Sequence, residues 1–163
     1  MINAPKVIVL LDTSLSMMSK DAFFSGTPCS RYRAACKQLE QLQEQMPGEV
    51  AVIAFSDQPH FCPEGVPTKP GGTTDLGAAL AMAREADNGL MRFVVISDGD
   101  PNSKDHALAE ARQFSVGIDT IAIGHERGGR TFLRRLANST GGTYHEDAGT
   151  LALAQTIAGL LAG

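Results

Sequence analysis

The 163-residue chain is 43% hydrophobic and 20% charged, a composition that suits one globular domain and excludes a disordered tail, a collagen-like repeat or a coiled coil. Its 14 basic against 18 acidic residues give a formal charge of -4, which lacks the basic footprint that nucleic-acid binding demands. A chain of about 150 residues buries about 68 to 70% of its unfolded surface, so a metal ion here would serve function rather than hold the fold together.

Val7-Ile8-Val9-Leu10-Leu11 opens the chain with a continuous apolar run rich in β-branched residues, the pattern of a central parallel strand buried on both faces. The run stops at Asp12, too short for a signal-peptide core, and no segment approaches the roughly 18 apolar residues of a membrane span. With an odd number of cysteines, Cys29, Cys36 and Cys62, the expectation is reduced thiols in a cytoplasmic protein with no membrane partner. Residues 19–30 follow as a turn-rich irregular loop that carries Phe23 and Phe24 beside Ser25-Gly26-Thr27-Pro28.

Tyr32, Ala35, Cys36, Leu39, Leu42 and Met46 recur at three- and four-residue steps, predicting a helix that Pro47-Gly48 ends. A strand is expected at residues 50–55. Pro59, Pro63, Pro67 and Pro70 then allow residues 56–72 at most a short edge strand, because proline cannot donate to a central ladder. Leu76, Ala79, Leu80 and Ala83 mark the next helix. Strands follow at 93–96 and 118–123, helices at about 104–114 and 131–137, a short strand near 143–145 and a last helix near 151–161. The alternation predicts one α/β domain over residues 1–163, Rossmann-like and doubly wound, with a mostly parallel central sheet flanked by helices and one short antiparallel edge strand. In such sheets ligands bind beyond the carboxyl ends of the strands, where the strand order reverses.

Oxygen chemistry gathers at those ends. Asp12-Thr13-Ser14-Leu15-Ser16 supplies a carboxylate and hydroxyls in one turn, Gly71-Gly72-Thr73-Thr74-Asp75 opens the second helix, and Ser97-Asp98-Gly99-Asp100 ends the third long strand. Magnesium prefers an octahedron of hard oxygens and keeps several waters, so a few carboxylates with hydroxyls suit it better than calcium.

Asp12-x-Ser14-x-Ser16, Thr73 after two glycines, and Asp98 in Ser97-Asp98-Gly99 together resemble the three segments of the metal-ion-dependent adhesion site of von Willebrand factor A domains, including integrin I domains. Residues 121–124 and 141–144 resemble the family's last strands, so the likeness spans nearly the whole chain. It implies Mg²⁺ or Mn²⁺ held by Ser14, Ser16 and Thr73, with Asp12 and Asp98 bound directly or through water. One coordination position then remains for an Asp or Glu of a protein partner. The resemblance further implies an adaptor without enzymatic activity, beside an AAA+ ATPase-associated complex. Leu15 stands where many relatives carry glycine, a departure that concerns the rim of the site. Phe23 and Phe24, just beyond the motif, are the candidate apolar anchors for the partner.

Other readings compete. A magnesium-dependent phosphohydrolase also places aspartates after two strands, but its usual pattern is Asp-x-Asp and residue 14 is serine. A scaffold domain whose metal only steadies the loops is the structural alternative. Cys29, Cys36, His60 and Cys62 match no familiar zinc spacing. His106, His125 and His145 have no paired ligand spacing either. Gly124-x-x-x-Gly128-Gly129 lacks the lysine and hydroxyl of a phosphate loop, and Ser14 and Ser16 lack a nucleophile elbow. Arg127, Arg130, Arg134 and Arg135 form a local basic patch that could hold an acidic partner, although such clusters are usually solvated faces. Asp100-Pro101-Asn102 is an ordinary turn signal, and Thr74 or Asp75 is expected to cap the second helix, leaving Thr73 for the metal.

Overall fold

The computed structural model describes residues 5–24, 26–67, 71–124 and 126–146. Eight strands and four helices are described: β1 (Val7–Asp12), β2 (Ala22–Phe24), β3 (Thr27–Cys29), α1 (Arg31–Gln45), β4 (Val50–Phe55), β5 (Pro59–Cys62), α2 (Leu76–Arg84), β6 (Arg92–Ser97), α3 (Lys104–Ala111), β7 (Ile118–Ala122), α4 (Arg127–Thr140) and β8 (Tyr144–Glu146). A 3₁₀ turn, Leu15–Met18, follows β1. The helix expected near residues 151–161 lies outside the described residues.

Six strands form one sheet in the order β5-β4-β1-β6-β7-β8. All neighbours are parallel except β4 and β5, whose antiparallel pairing makes β5 the edge strand that the prolines allow. The order runs outward from β1 in both directions, so the switch point lies at the carboxyl end of β1, beside β6. Asp12 and Ser97-Asp98 stand at those two strand ends.

Alternation along β1 divides the core. Ile8 and Leu10 join Phe93, Val95, Leu80, Leu108, Leu133 and Leu136 under α2, α3 and α4. Val7, Val9 and Leu11 join Leu39, Leu42, Val94 and Ile96 under α1. A central strand apolar at every position from Val7 to Leu11 is therefore a strand with a helical layer on each face, which is the doubly wound arrangement.

Two segments depart from expectation. Residues 19–30 are not irregular throughout: β2 and β3 pair antiparallel as a two-stranded sheet of their own, with Phe23 opposite Pro28. Helix α4 begins at Arg127 rather than near 131, with Gly128 and Gly129 inside its first turn. Gly129 is there for proximity. A Cβ on Gly129 would collide with the carbonyl oxygen of Asp98, so only glycine lets the start of α4 close against the end of β6.

Candidate metal centre

Asp12 ends β1 and is fully buried. Its Oδ1 accepts from the Ser14 amide at 2.8 Å and its Oδ2 from the Ser97 hydroxyl at 2.6 Å. Ser97 Oγ in turn accepts from the Gly99 amide at 2.9 Å, which fixes the turn after β6. Burial lifts the Asp12 carboxyl to about 6, and nearby Asp98 pushes in the same direction against the hydrogen bonds from Ser14 and Ser97.

The hydroxyls of Ser14 and Ser16 lie 3.1 Å apart. Ser14 is buried and Ser16 half-buried, while Leu15 between them is 62% exposed at the rim. The 71–73 segment is stitched to this turn: the Leu15 amide donates to Gly72 O at 3.0 Å and the Gly71 amide to Thr13 O at 2.8 Å. Thr73 is exposed, and its hydroxyl donates to Asp57 Oδ1 at 2.6 Å while accepting from Asn102 Nδ2 at 3.1 Å. The start of α2 is capped by Asp75, whose carboxylate accepts from the Ala78 amide at 3.0 Å, so Thr73 has no capping duty. Asn102 also accepts from the Thr74 amide at 2.9 Å, so the Pro101-Asn102 turn holds the threonine loop in place.

Asp98 is buried, with its two oxygens in different situations. Oδ2 accepts from Arg31 Nη1 at 3.2 Å, whereas Oδ1 is enclosed and has no hydrogen-bond partner among the described residues. An enclosed carboxylate oxygen without a partner is costly unless something else fills that role.

That oxygen is the test of whether a divalent ion fits here, and the donor set passes it: two buried carboxylates and three hydroxyls, all hard oxygens, on loops tied together at the switch point. Among the described residues no three His, Cys, Asp or Glu side chains group to hold an ion, so any ion at this site depends on the hydroxyls.

Sequence reasoning missed Arg31 and Asp57. The signal for Arg31 is its place at the first position of α1, where a cation opposes the helix dipole and needs a tertiary partner. Of the anchor candidates, Phe23 is 56% exposed on β2; the Phe24 side chain lies outside the described residues. Cys29 and Cys36 are half-buried, and the buried Cys62 donates to the backbone oxygen of His60 at 3.6 Å. His106 lies 3.8 Å from Glu110, and His145 shares a 2.8 Å hydrogen bond with Thr143. In the basic patch, Arg130 and Arg134 face Glu146 at 3.7 and 3.8 Å. His125 lies outside the described residues.

No family model matches the sequence, and no curated protein matches it. Solved structures do. The BatB protein of Bacteroides thetaiotaomicron, described as a conserved hypothetical protein, superposes with a TM-score of 0.72 at 18% identity over 97% of both chains. A von Willebrand factor type A protein from Catenulispora acidiphila gives 0.72 at 18% identity, covering 98% of this chain and 42% of its own length. The manganese-loaded TRAP protein of Plasmodium vivax gives 0.66 at 18% identity over 95% of this chain and 72% of its own.

The fold is that of a von Willebrand factor A domain. At this identity the likeness carries the architecture and not the ligands, so the case for a metal rests on Asp12, Asp98 and the three hydroxyls. Among the described residues, no helix of this von Willebrand factor A fold is long and apolar enough to cross a membrane.

Proposed function

We propose that the protein is a metal-dependent interaction module in which Asp12, Ser14, Ser16, Thr73 and Asp98 hold Mg²⁺ or Mn²⁺ and a partner protein supplies an Asp or Glu. The observation that carries the reading is the enclosed Asp98 Oδ1, a hard-oxygen donor without a partner among the described residues, beside a second buried carboxylate. The manganese in the TRAP structure supports the choice of ion class. When bound, the ion supplies a Lewis-acid position that a partner carboxylate completes.

The chain's own residues do the rest. Asp12 and Asp98 offer the negative charge, and the hydroxyls fill positions without adding more, which leaves the site attractive to an outside carboxylate. Beyond the site an open cleft of about 620 Å³ is lined by Lys20, Arg33 and Lys37 with Thr27, Cys29 and Ser30. It adjoins the Leu15–Met18 turn through Lys20 and the start of α1 through Ser30, and its three cations complement an acidic partner surface. In this reading the protein makes and breaks no covalent bond and acts as a cytoplasmic adaptor, with an AAA+ ATPase-associated complex as its setting.

Calorimetry with MgCl₂ or MnCl₂ is expected to show one ion per chain, lost in Asp12→Ala and in Asp98→Ala while both variants remain folded. Unchanged metal affinity in both variants would sink the assignment. A pull-down with magnesium, repeated with chelator, then tests the partner: capture that survives chelation leaves the metal a structural role only.

A further inference from the structure

We propose that Arg31 sets the ion preference of the site by leaving Asp98 a single oxygen to offer. The inference rests on the metal-binding reading above and concerns which ion that site selects. Arg31 is only 3% exposed, and its guanidinium meets three carboxylates from three separate segments. Nε and Nη2 fork onto Asp21 at 2.8 and 2.7 Å, Nη2 also reaches Glu126 at 3.1 Å, and Nη1 reaches Asp98 Oδ2 at 3.2 Å. Gly124 makes room for it, since a Cβ there would come within 2.8 Å of Nε.

The fork is what makes the arrangement rigid. A planar guanidinium held along one edge, through Nε and Nη2, by the two oxygens of Asp21 has its remaining nitrogen aimed in a fixed direction, and that nitrogen meets Asp98. With Oδ2 so engaged, Oδ1 is the oxygen of Asp98 without a partner. A carboxylate held in this way presents Oδ1 without a partner while one lone pair of Oδ2 is committed to the guanidinium, which opposes chelation through both oxygens. Calcium takes six to eight oxygens and commonly uses bidentate carboxylates, whereas magnesium demands six near-octahedral single donors at shorter distance. One-oxygen presentation therefore favours magnesium or manganese over calcium. Release of Oδ2 would let Asp98 chelate and raise the coordination number available.

The test is calorimetry of chelator-stripped protein titrated separately with MgCl₂ and CaCl₂, with circular dichroism to establish that each variant is folded. Wild type is expected to bind magnesium more tightly than calcium. In Arg31→Met the ratio of the calcium to the magnesium dissociation constant is expected to fall at least tenfold, because Asp98 is free to chelate. Arg31→Lys gives a second route should the methionine variant fail to fold. It keeps the charge, but a single ammonium cannot fork onto Asp21 and reach Asp98 together, so the ratio falls here also. A residue with only a structural role weakens both ions by the same factor, and an unchanged ratio in the folded variants overturns the inference. Wild type that binds calcium as tightly as magnesium overturns it too. Wild type that binds neither ion removes the metal reading itself, an outcome distinct from the other two.

Discussion

Asp57 Oδ1 accepts two hydrogen bonds from Thr73, one from the amide at 2.7 Å and one from the hydroxyl at 2.6 Å. These bonds hold the Asp57 carboxyl below the usual range. They also commit the Thr73 proton to the side facing Asp57, and with Asn102 donating to the same oxygen, one lone pair is left for a cation. Asp57→Ala is expected to weaken magnesium binding about tenfold, an effect of about 1.4 kcal/mol, with little change in thermal unfolding because Asp57 is exposed. Thr73→Ala removes the donor itself and is expected to lose more, with Thr73→Ser restoring most of it. If thermal unfolding drops sharply in Thr73→Ala while metal-dependent partner binding stays normal, the residue is a structural brace and not a ligand.

Asp12 and Asp98 are two buried carboxylates side by side, and burial together with the neighbouring charge penalises the ionised form of Asp12. The penalty should make stability and function pull in opposite directions. In chelator at pH 7.5, Asp12→Asn is expected to be more stable than wild type, by about 1–3 kcal/mol, since an amide keeps an acceptor for Ser14 without a buried charge. In magnesium the order is expected to reverse, because wild type gains about 2.7 kcal/mol at a hundred times its dissociation constant and the variant gains nothing. Thermal unfolding of both proteins in both buffers checks this. A variant less stable than wild type in chelator would show that the carboxylate is held for the fold.

What the sequence made legible divides by range. β1 announces itself because burial on both faces removes every polar residue from Val7 to Leu11, and the motif at positions 12, 14 and 16 is visible because one turn of chain brings it together. Arg31 is different: its place at the start of α1 marks it as a cation in need of a partner, but Asp98 and Glu126 lie 67 and 95 residues away, so nothing local says which carboxylates it meets. Asp57 sits 16 residues before Thr73 across a proline-rich stretch and escapes for the same reason. The β2–β3 hairpin was illegible because two three-residue strands show too little alternation to register. The early start of α4 was hidden because Gly128-Gly129 reads as a breaker wherever the close approach to β6 is unknown.

That approach gives a paired prediction. Gly129→Ala places a Cβ against the Asp98 carbonyl and cannot be absorbed without backbone movement, so it is expected to cost about 1–3 kcal/mol and to weaken metal binding by shifting Asp98. Gly128→Ala, one residue earlier in the same helical turn, meets nothing within 4 Å and is expected to be neutral or slightly stabilising. Urea unfolding and magnesium calorimetry of both variants separate packing from helix propensity. Equal effects of the two would mean that the contact between α4 and β6 is unimportant to the site.

Phe23 carries the last prediction. A carboxylate bound at the metal fixes one atom of a partner, but choosing one partner among many acidic surfaces takes an apolar anchor nearby, and aromatic residues at interface centres often supply it. The alternative, that this ring folds back into the core, is answered by its 56% exposure on β2, opposite Pro28. Leu15 and Met18 are also exposed on the 3₁₀ turn that follows β1, so apolar side chains recur along the segment leading from the metal motif to the hairpin. Phe23→Ser is expected to leave thermal unfolding within about 0.5 kcal/mol of wild type, as for surface substitutions in general, and to leave magnesium affinity unchanged. Its effect should fall on the partner, with recovery in the magnesium-dependent, chelator-sensitive pull-down lowered about tenfold, equivalent to about 1.4 kcal/mol. Loss of stability in the variant, or full recovery of the partner, would return the hairpin to a structural role and place recognition elsewhere on the rim.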